Sequence, residues 1–164
     1  SRGTAHAGTI MPKIREIGRL RAEHAAIETL SHFLMAMVAA PHPPRPTELA
    51  AVRGMLRDTL TRHLKCEDWA LYPRLRASGD AEAVRLAGMF VDEMGHIASD
   101  FSAYDARWTA EAIEADWEGF RGETTGILDA LGMRIDRENQ HLYPVAERLA
   151  SAGERHGRAS RAMA

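Results

Sequence analysis

The sequence of 164 residues contains a single cysteine, Cys66, so no intramolecular disulfide can form and a reducing cytoplasm is the natural setting. No apolar run approaches the roughly 18 residues of a spanning helix, and the start lacks the hydrophobic stretch of a secretory leader, which argues against a membrane partner. The net charge of -2 leaves no basic footprint for nucleic acid or an anionic lipid surface. Clusters of β-branched residues are scarce, which removes the usual material of strands. No glycine-rich phosphate loop and no nucleophile–base pair is present. The opening Ser1-Arg2-Gly3-Thr4-Ala5-His6 is assigned no function.

What remains is long segments rich in Ala, Leu, Arg and Glu, in a chain sized for one domain with its own core. Breaks are few. Pro41-His42-Pro43-Pro44-Arg45-Pro46 cannot continue a helix; Ser78-Gly79-Asp80 is a tight turn ending in a good cap; residues 107–116 form a looser connection with Thr109 as a cap. Four helices are predicted, roughly 13–39, 47–77, 80–107 and 116–151. Their apolar faces run Ile17, Leu20, Ile27, Leu34 and Val38; Val52, Leu56, Leu60 and Leu71; Leu86, Phe90, Met94, Ile97, Phe101 and Tyr104; and Leu128, Leu131, Ile135, Leu142, Val145 and Leu149. Met89, Met94 and Met133 read as core filler, and His6, His32, His42 and His156 as surface residues. The fold class is all-α, an up-down-up-down four-helix bundle over 13–151, between a flexible N-terminal segment (1–12) and a flexible, fraying tail (152–164).

The bundle carries an internal repeat. His63-Leu64-Lys65-Cys66-Glu67 is followed by Leu71-Tyr72-Pro73, and Arg134-Ile135-Asp136-Arg137-Glu138 by Leu142-Tyr143-Pro144. His24 lies 39 residues before His63, and His96 lies 38 before Arg134. Pro73 and Pro144 fall inside helical patterns, where each removes a backbone bond and should bend its helix or begin its final stretch.

Glu67 and Glu138 stand on apolar stripes, where an ionised carboxylate is several kcal/mol unfavourable unless paired or bound to a cation. His63 and Glu67, four apart, can reach one point, which His24 and His96 would approach from two other helices. Imidazole with carboxylate suits iron, manganese or zinc, and the lack of cysteine ligands argues against a closed structural zinc site. The metal ligands predicted are His24, His63, Glu67, His96 and Glu138. Cys66 beside Glu67 reads as a small packed residue.

Histidine on the first helix, His-x-x-x-Glu then Leu-Tyr-Pro on the second, histidine on the third and an acidic position on the fourth resemble the hemerythrin-like, or HHE cation-binding, family over roughly 15–150. The resemblance implies a bundle around non-haem iron, usually two irons bridged by two carboxylates. It departs at Arg134, which stands where the family has a histidine, and at Asp100, where a second histidine often follows on the third helix. Arginine has no lone pair for a metal. Three arrangements stay open: Arg134 replaces the second ion's charge and leaves a mononuclear site; His141 restores the lost ligand; or Arg134 faces solvent and no metal binds.

The functional expectation is an iron-binding domain with an incomplete ligand set that senses or binds dioxygen, nitric oxide or peroxide, mononuclear in preference to di-iron, with zinc or manganese as other occupants. An iron-dependent detoxifying enzyme and a metal-free bundle for contact with a protein partner are the competing readings.

Overall fold

Residues 11–164 are described by a computed structural model; the first ten residues, with His6 and most of the expected N-terminal segment, lie outside them. Among the described residues all regular structure is helical. Helix α1 spans Ile14–Ala39. The second rod joins α2 (Pro46–Cys66), a π-helical turn (Glu67–Leu71) and α3 (Tyr72–Arg76). The third joins α4 (Ala81–Met94) and α5 (Ile97–Arg107), and a short α6 (Ala110–Ala115) leads to the fourth. That rod joins α7 (Trp117–Arg137), a second π-helical turn (Glu138–Leu142) and α8 (Tyr143–Ala162). Helix α1 packs on α2 and α7, and α5 packs on α7 and α2, so the four rods close around one core. No helix among the described residues is long and apolar enough to cross a membrane.

Local chemistry sets the boundaries. Pro46 opens α2, where its missing N–H is no loss. Gly79 adopts φ 77° in the turn before α4, and the Asp80 carboxylate accepts from Ala83 N at 3.0 Å. The Asp116 carboxylate accepts from Gly119 N at 2.8 Å to start α7. A Cβ on Gly119 would sit 2.1 Å from Asp116 Oδ2, so any side chain there must push the capping carboxylate from its place.

The predicted apolar faces form most of the core, with Ile17, Ile27, Leu60 and Leu142 at 0% exposure; Val52 and Leu149 are only partly buried, and Leu75 and Phe120, outside the predicted faces, are fully buried. Three expectations change. The third helix is broken at Gly95 and His96, although its stripe of Phe90, Met94, Ile97 and Phe101 stays buried on both sides of the break. Met133 is exposed, not core. The chain past Gly153 continues as helix to Ala162 instead of fraying, its backbone bonds supplied by the helix itself while its side chains stay in solvent. Pro73 and Pro144 begin the final stretch of their rods, one of the two outcomes expected of them. Each is preceded by one π-helical turn, in which Tyr72 N bonds to Glu67 O and Tyr143 N to Glu138 O. The extra residue in each turn lets the proline fall near the start of the next α-helical stretch.

The cap on α7 gives a test in which a substitution changes sign. Asp116→Ala should lower stability by about 1 kcal/mol, and Gly119→Ala should also destabilise because its methyl displaces the Asp116 carboxylate. In the Asp116→Ala background the same Gly119→Ala change should stabilise, since alanine is the better helix former. Urea denaturation of the four proteins measures it; equal effects of Gly119→Ala in both backgrounds would show that the cap does not hold the turn.

Candidate metal centre

The two π-helical turns begin at Glu67 and Glu138, and both carboxylates point into the bundle interior at 0% exposure. His24 from α1 and His63 from α2 meet them there, each 1% exposed. One ligand atom from each of these four residues lies within 4.8 Å of the others. Ligand bonds of about 2.0–2.2 Å set donors roughly 3–4 Å apart around an ion, so the cluster has the dimensions of a cation site.

Both imidazoles are held by their outer nitrogens. His24 Nδ1–H donates to Asn139 Oδ1 at 2.7 Å and His63 Nδ1–H to Glu23 Oε1 at 3.2 Å, which turns both Nε2 atoms inward. His24 Nε2 lies 3.1 Å from Glu138 Oε2, and His63 Nε2 lies 3.0 Å from Glu67 Oε1. These approaches are close but badly directed: His63 Nε2 and Glu138 Oε2 are buried without a hydrogen-bond partner. Two orphaned polar atoms aimed at one point are what a cation would satisfy.

Arg134 fills the opposite side of the cluster. Its guanidinium is 1% exposed and donates from Nε to Glu138 Oε1 at 2.7 Å, and from Nη2 to Glu67 Oε1 at 3.3 Å and Asp68 Oδ1 at 2.9 Å. Nη1 reaches the Met94 carbonyl at 3.4 Å, left free where α4 ends. One arginine thus bridges both carboxylates, and its plane also lies against Tyr72, 5.4 Å from the ring centre. Burial opposes the arginine's charge, but Glu138, Glu67 and Asp68 more than offset it and raise its pKa.

The charges are not balanced, since two carboxylates face one guanidinium. Burial and the neighbouring Glu138 charge push the Glu67 carboxyl up, although His63 and Arg134 pull it down. Burial would also raise Glu138, but the His24 ring beside it, Arg134 and Tyr72 hold it down at about 2. For His63, burial disfavours the charged ring, and Glu67, Glu23 and Glu138 outweigh that and raise its pKa. The interior therefore attracts positive charge beyond what Arg134 brings.

His96, predicted as a ligand, is not in the cluster. Its side chain is 60% exposed and its Nε2 lies 3.6 Å from the exposed Asp100. The physical reason is the break at Gly95 and His96, which keeps Met94 and Ile97 inward and leaves His96 on the outer surface, while Arg134 occupies the interior against the Met94 carbonyl. His141 is also exposed and lies outside the cluster, whereas Arg134 is buried and does not face solvent. The structure brings together His24, His63, Glu67 and Glu138 of the predicted set.

Sequence reasoning missed five partners of the cluster: Glu23, Asp68, Asn139, Tyr72 and Tyr143. Tyr72 O–H donates to Glu138 Oε1, and Tyr143 O–H donates to Glu67 Oε2 at 2.7 Å while its oxygen lies 3.1 Å from His24 Nε2. The Tyr143 ring stacks on His24 with centroids 4.9 Å apart. The signal for the tyrosines was the Leu-Tyr-Pro in both copies of the repeat; for the other three, only adjacency to a ligand.

Compared with protein families, residues 15–146 match the hemerythrin HHE cation binding domain. No curated protein and no solved structure matches the chain.

Arg134 should be indispensable to the metal-free fold. Arg134→Met leaves two buried carboxylates without their shared counter-charge, and should lower stability by about 3 kcal/mol. Chemical denaturation in the presence of a chelator measures this. A loss below about 1 kcal/mol would mean that the carboxylates are neutralised by protons without the arginine.

Proposed function

The chain belongs to the hemerythrin HHE cation-binding family, and from that membership we propose that it binds one non-haem iron ion per chain and offers it to dioxygen, nitric oxide or peroxide in a binding or sensing role. The observation that carries this reading is the convergence of His24, His63, Glu67 and Glu138, with His63 Nε2 and Glu138 Oε2 buried and unpartnered. Their mixed imidazole and carboxylate chemistry suits iron, with manganese and zinc as the competitors for the same donors.

Bound there, the ion would supply a Lewis-acidic centre capable of changing oxidation state. The residues around it do the rest. Asn139 and Glu23 fix the ring orientations of His24 and His63. Arg134 stands as a fixed positive charge on Glu67 and Glu138, which favours one ion over two, because a second cation a few Å from a guanidinium is repelled by several kcal/mol. The exposure of His96 and His141 supports the same count, since neither offers its ring to a second ion. With every donor 0% or 1% exposed, the interior admits a diatomic molecule or peroxide more readily than a bulky substrate, which favours binding or sensing over turnover of larger molecules.

Elemental analysis of protein loaded anaerobically with ferrous iron and desalted should give one iron per chain. Two per chain would overturn the single-ion reading. None, under conditions that load manganese and zinc equally poorly, would overturn metal binding and leave a metal-free bundle whose use is contact with a protein partner. With iron bound, the visible absorption should change on adding nitric oxide, dioxygen or hydrogen peroxide, and indifference to all three would remove the small-ligand role.

A further inference from the structure

The two tyrosines of the repeat are exchanged between its halves. Tyr72, from the first copy, donates its hydroxyl to Glu138 of the second, and Tyr143, from the second, donates to Glu67 of the first. Both are almost wholly buried, at 2% and 0% exposure. The exchange follows from the π-helical turns, each of which starts at a glutamate and ends immediately before a tyrosine. Each phenol is thereby carried across the bundle axis to the other rod's carboxylate. In each glutamate one oxygen is tied by a tyrosine, Oε1 of Glu138 and Oε2 of Glu67, while the other oxygen lies against a histidine Nε2.

We infer that Tyr72 and Tyr143 are positioning residues that make each glutamate present one oxygen, and not two, to the bound ion, and that Tyr143 carries most of this effect. The inequality comes from Arg134. On Glu138 the tied oxygen Oε1 is held twice, by Tyr72 and by Arg134 Nε at 2.7 Å. On Glu67 the tied oxygen Oε2 has Tyr143 alone at 2.7 Å, because Arg134 Nη2 goes to the other oxygen, Oε1, at 3.3 Å. Removing the Tyr72 hydroxyl leaves Glu138 anchored. Removing the Tyr143 hydroxyl lets Glu67 rotate and offer both oxygens. The sequence repeat treats the two tyrosines alike; the structure makes them unequal.

This inference rests on the proposed single-ion site, and its test separates the two. Cobalt(II) serves as the probe because its d–d absorption is strong with four donors and weak with five or six. Tyr143→Phe should weaken cobalt binding roughly 10- to 100-fold, in the range measured for residues that orient metal ligands, and should lower and shift the d–d bands as Glu67 becomes bidentate. Tyr72→Phe should lose only a few-fold and keep the wild-type band shape. With Arg134→Lys as the background, which keeps the charge but removes the Nε anchor, the same Tyr72→Phe change should weaken binding about as much as Tyr143→Phe does in the wild type.

A purely structural role would lower the melting temperature of the metal-free variants without changing the cobalt spectrum, and that result overturns the inference. Equal losses for the two tyrosines in the wild-type background overturn the assigned inequality. Should Tyr143→Phe not fold, the Tyr72→Phe comparison with and without Arg134→Lys decides alone. Wild-type protein that binds no cobalt removes the metal site itself, an outcome distinct from bound cobalt with an unchanged Tyr143→Phe spectrum.

Discussion

The structure depends on how two carboxylates are kept in a dry interior. Glu67 and Glu138 are both at 0% exposure, and their mutual repulsion in a medium of low polarizability would take a large share of the stability of a bundle of this size if nothing opposed it. Arg134 opposes it by bonding both, and the rest of the centre is arranged around that contact. The guanidinium also reaches the Met94 carbonyl at the point where α4 ends. Its remaining reach goes to Asp68, 24% exposed, which links the buried charges to the edge of the protein. One side chain thus ties three rods of the bundle together.

The same contact explains why the two halves of the repeat are no longer equivalent. Both halves keep the glutamate, the leucine, the tyrosine, the proline and the π-helical turn between them. A π-helical turn is a less favourable backbone form, usually retained where it aims a side chain. Here it aims two, in opposite directions, so the phenols cross. Had both rods carried histidine at 63 and 134, the carboxylates would face matched surroundings. With arginine at 134, Glu138 is held down at about 2 while Glu67 is pushed up, and the negative charge is unevenly shared between them. The cluster favours a cation on the histidine side and resists one on the arginine side.

Much of this was legible in the sequence because hydrophobic periodicity and charge burial obey short-range rules. The buried faces of α1 and α4–α5 follow the spacing of Ile17 to Val38 and of Leu86 to Tyr104, and Glu67 and Glu138 announced themselves as carboxylates on apolar stripes. What could not be read there depended on departures from the α-helical period. His96 looked like a ligand because an unbroken helix places it beside the stripe; the helix instead breaks at Gly95 and His96, and the lone glycine was too weak a signal to place that break. Tyr72 and Tyr143 were overlooked for the same reason. A residue five positions after a glutamate lies about 140° round an ideal α-helix, away from the shared face, and only the π-helical turn brings it into the interior. The long α8 shows the opposite departure: the tail read as fraying from residue 152 is helical as far as Ala162, and nothing in that exposed stretch breaks backbone hydrogen bonding.

These departures carry a consequence for how sites in such bundles are recognised. Ligand spacing identified His24, His63, Glu67 and Glu138 as candidates, but spacing says nothing about how each carboxylate is turned. Orientation here comes from groups that never match a ligand motif: a glutamate and an asparagine on the imidazoles, two crossed phenols and one guanidinium on the carboxylates. Such partners fix ligand geometry as firmly as the ligands fix an ion. An arginine in a histidine's place would, on spacing alone, be scored as a lost site. In three dimensions it is a permanent cation already bound, and the number of further cations the interior can take follows from the charge it leaves unsatisfied.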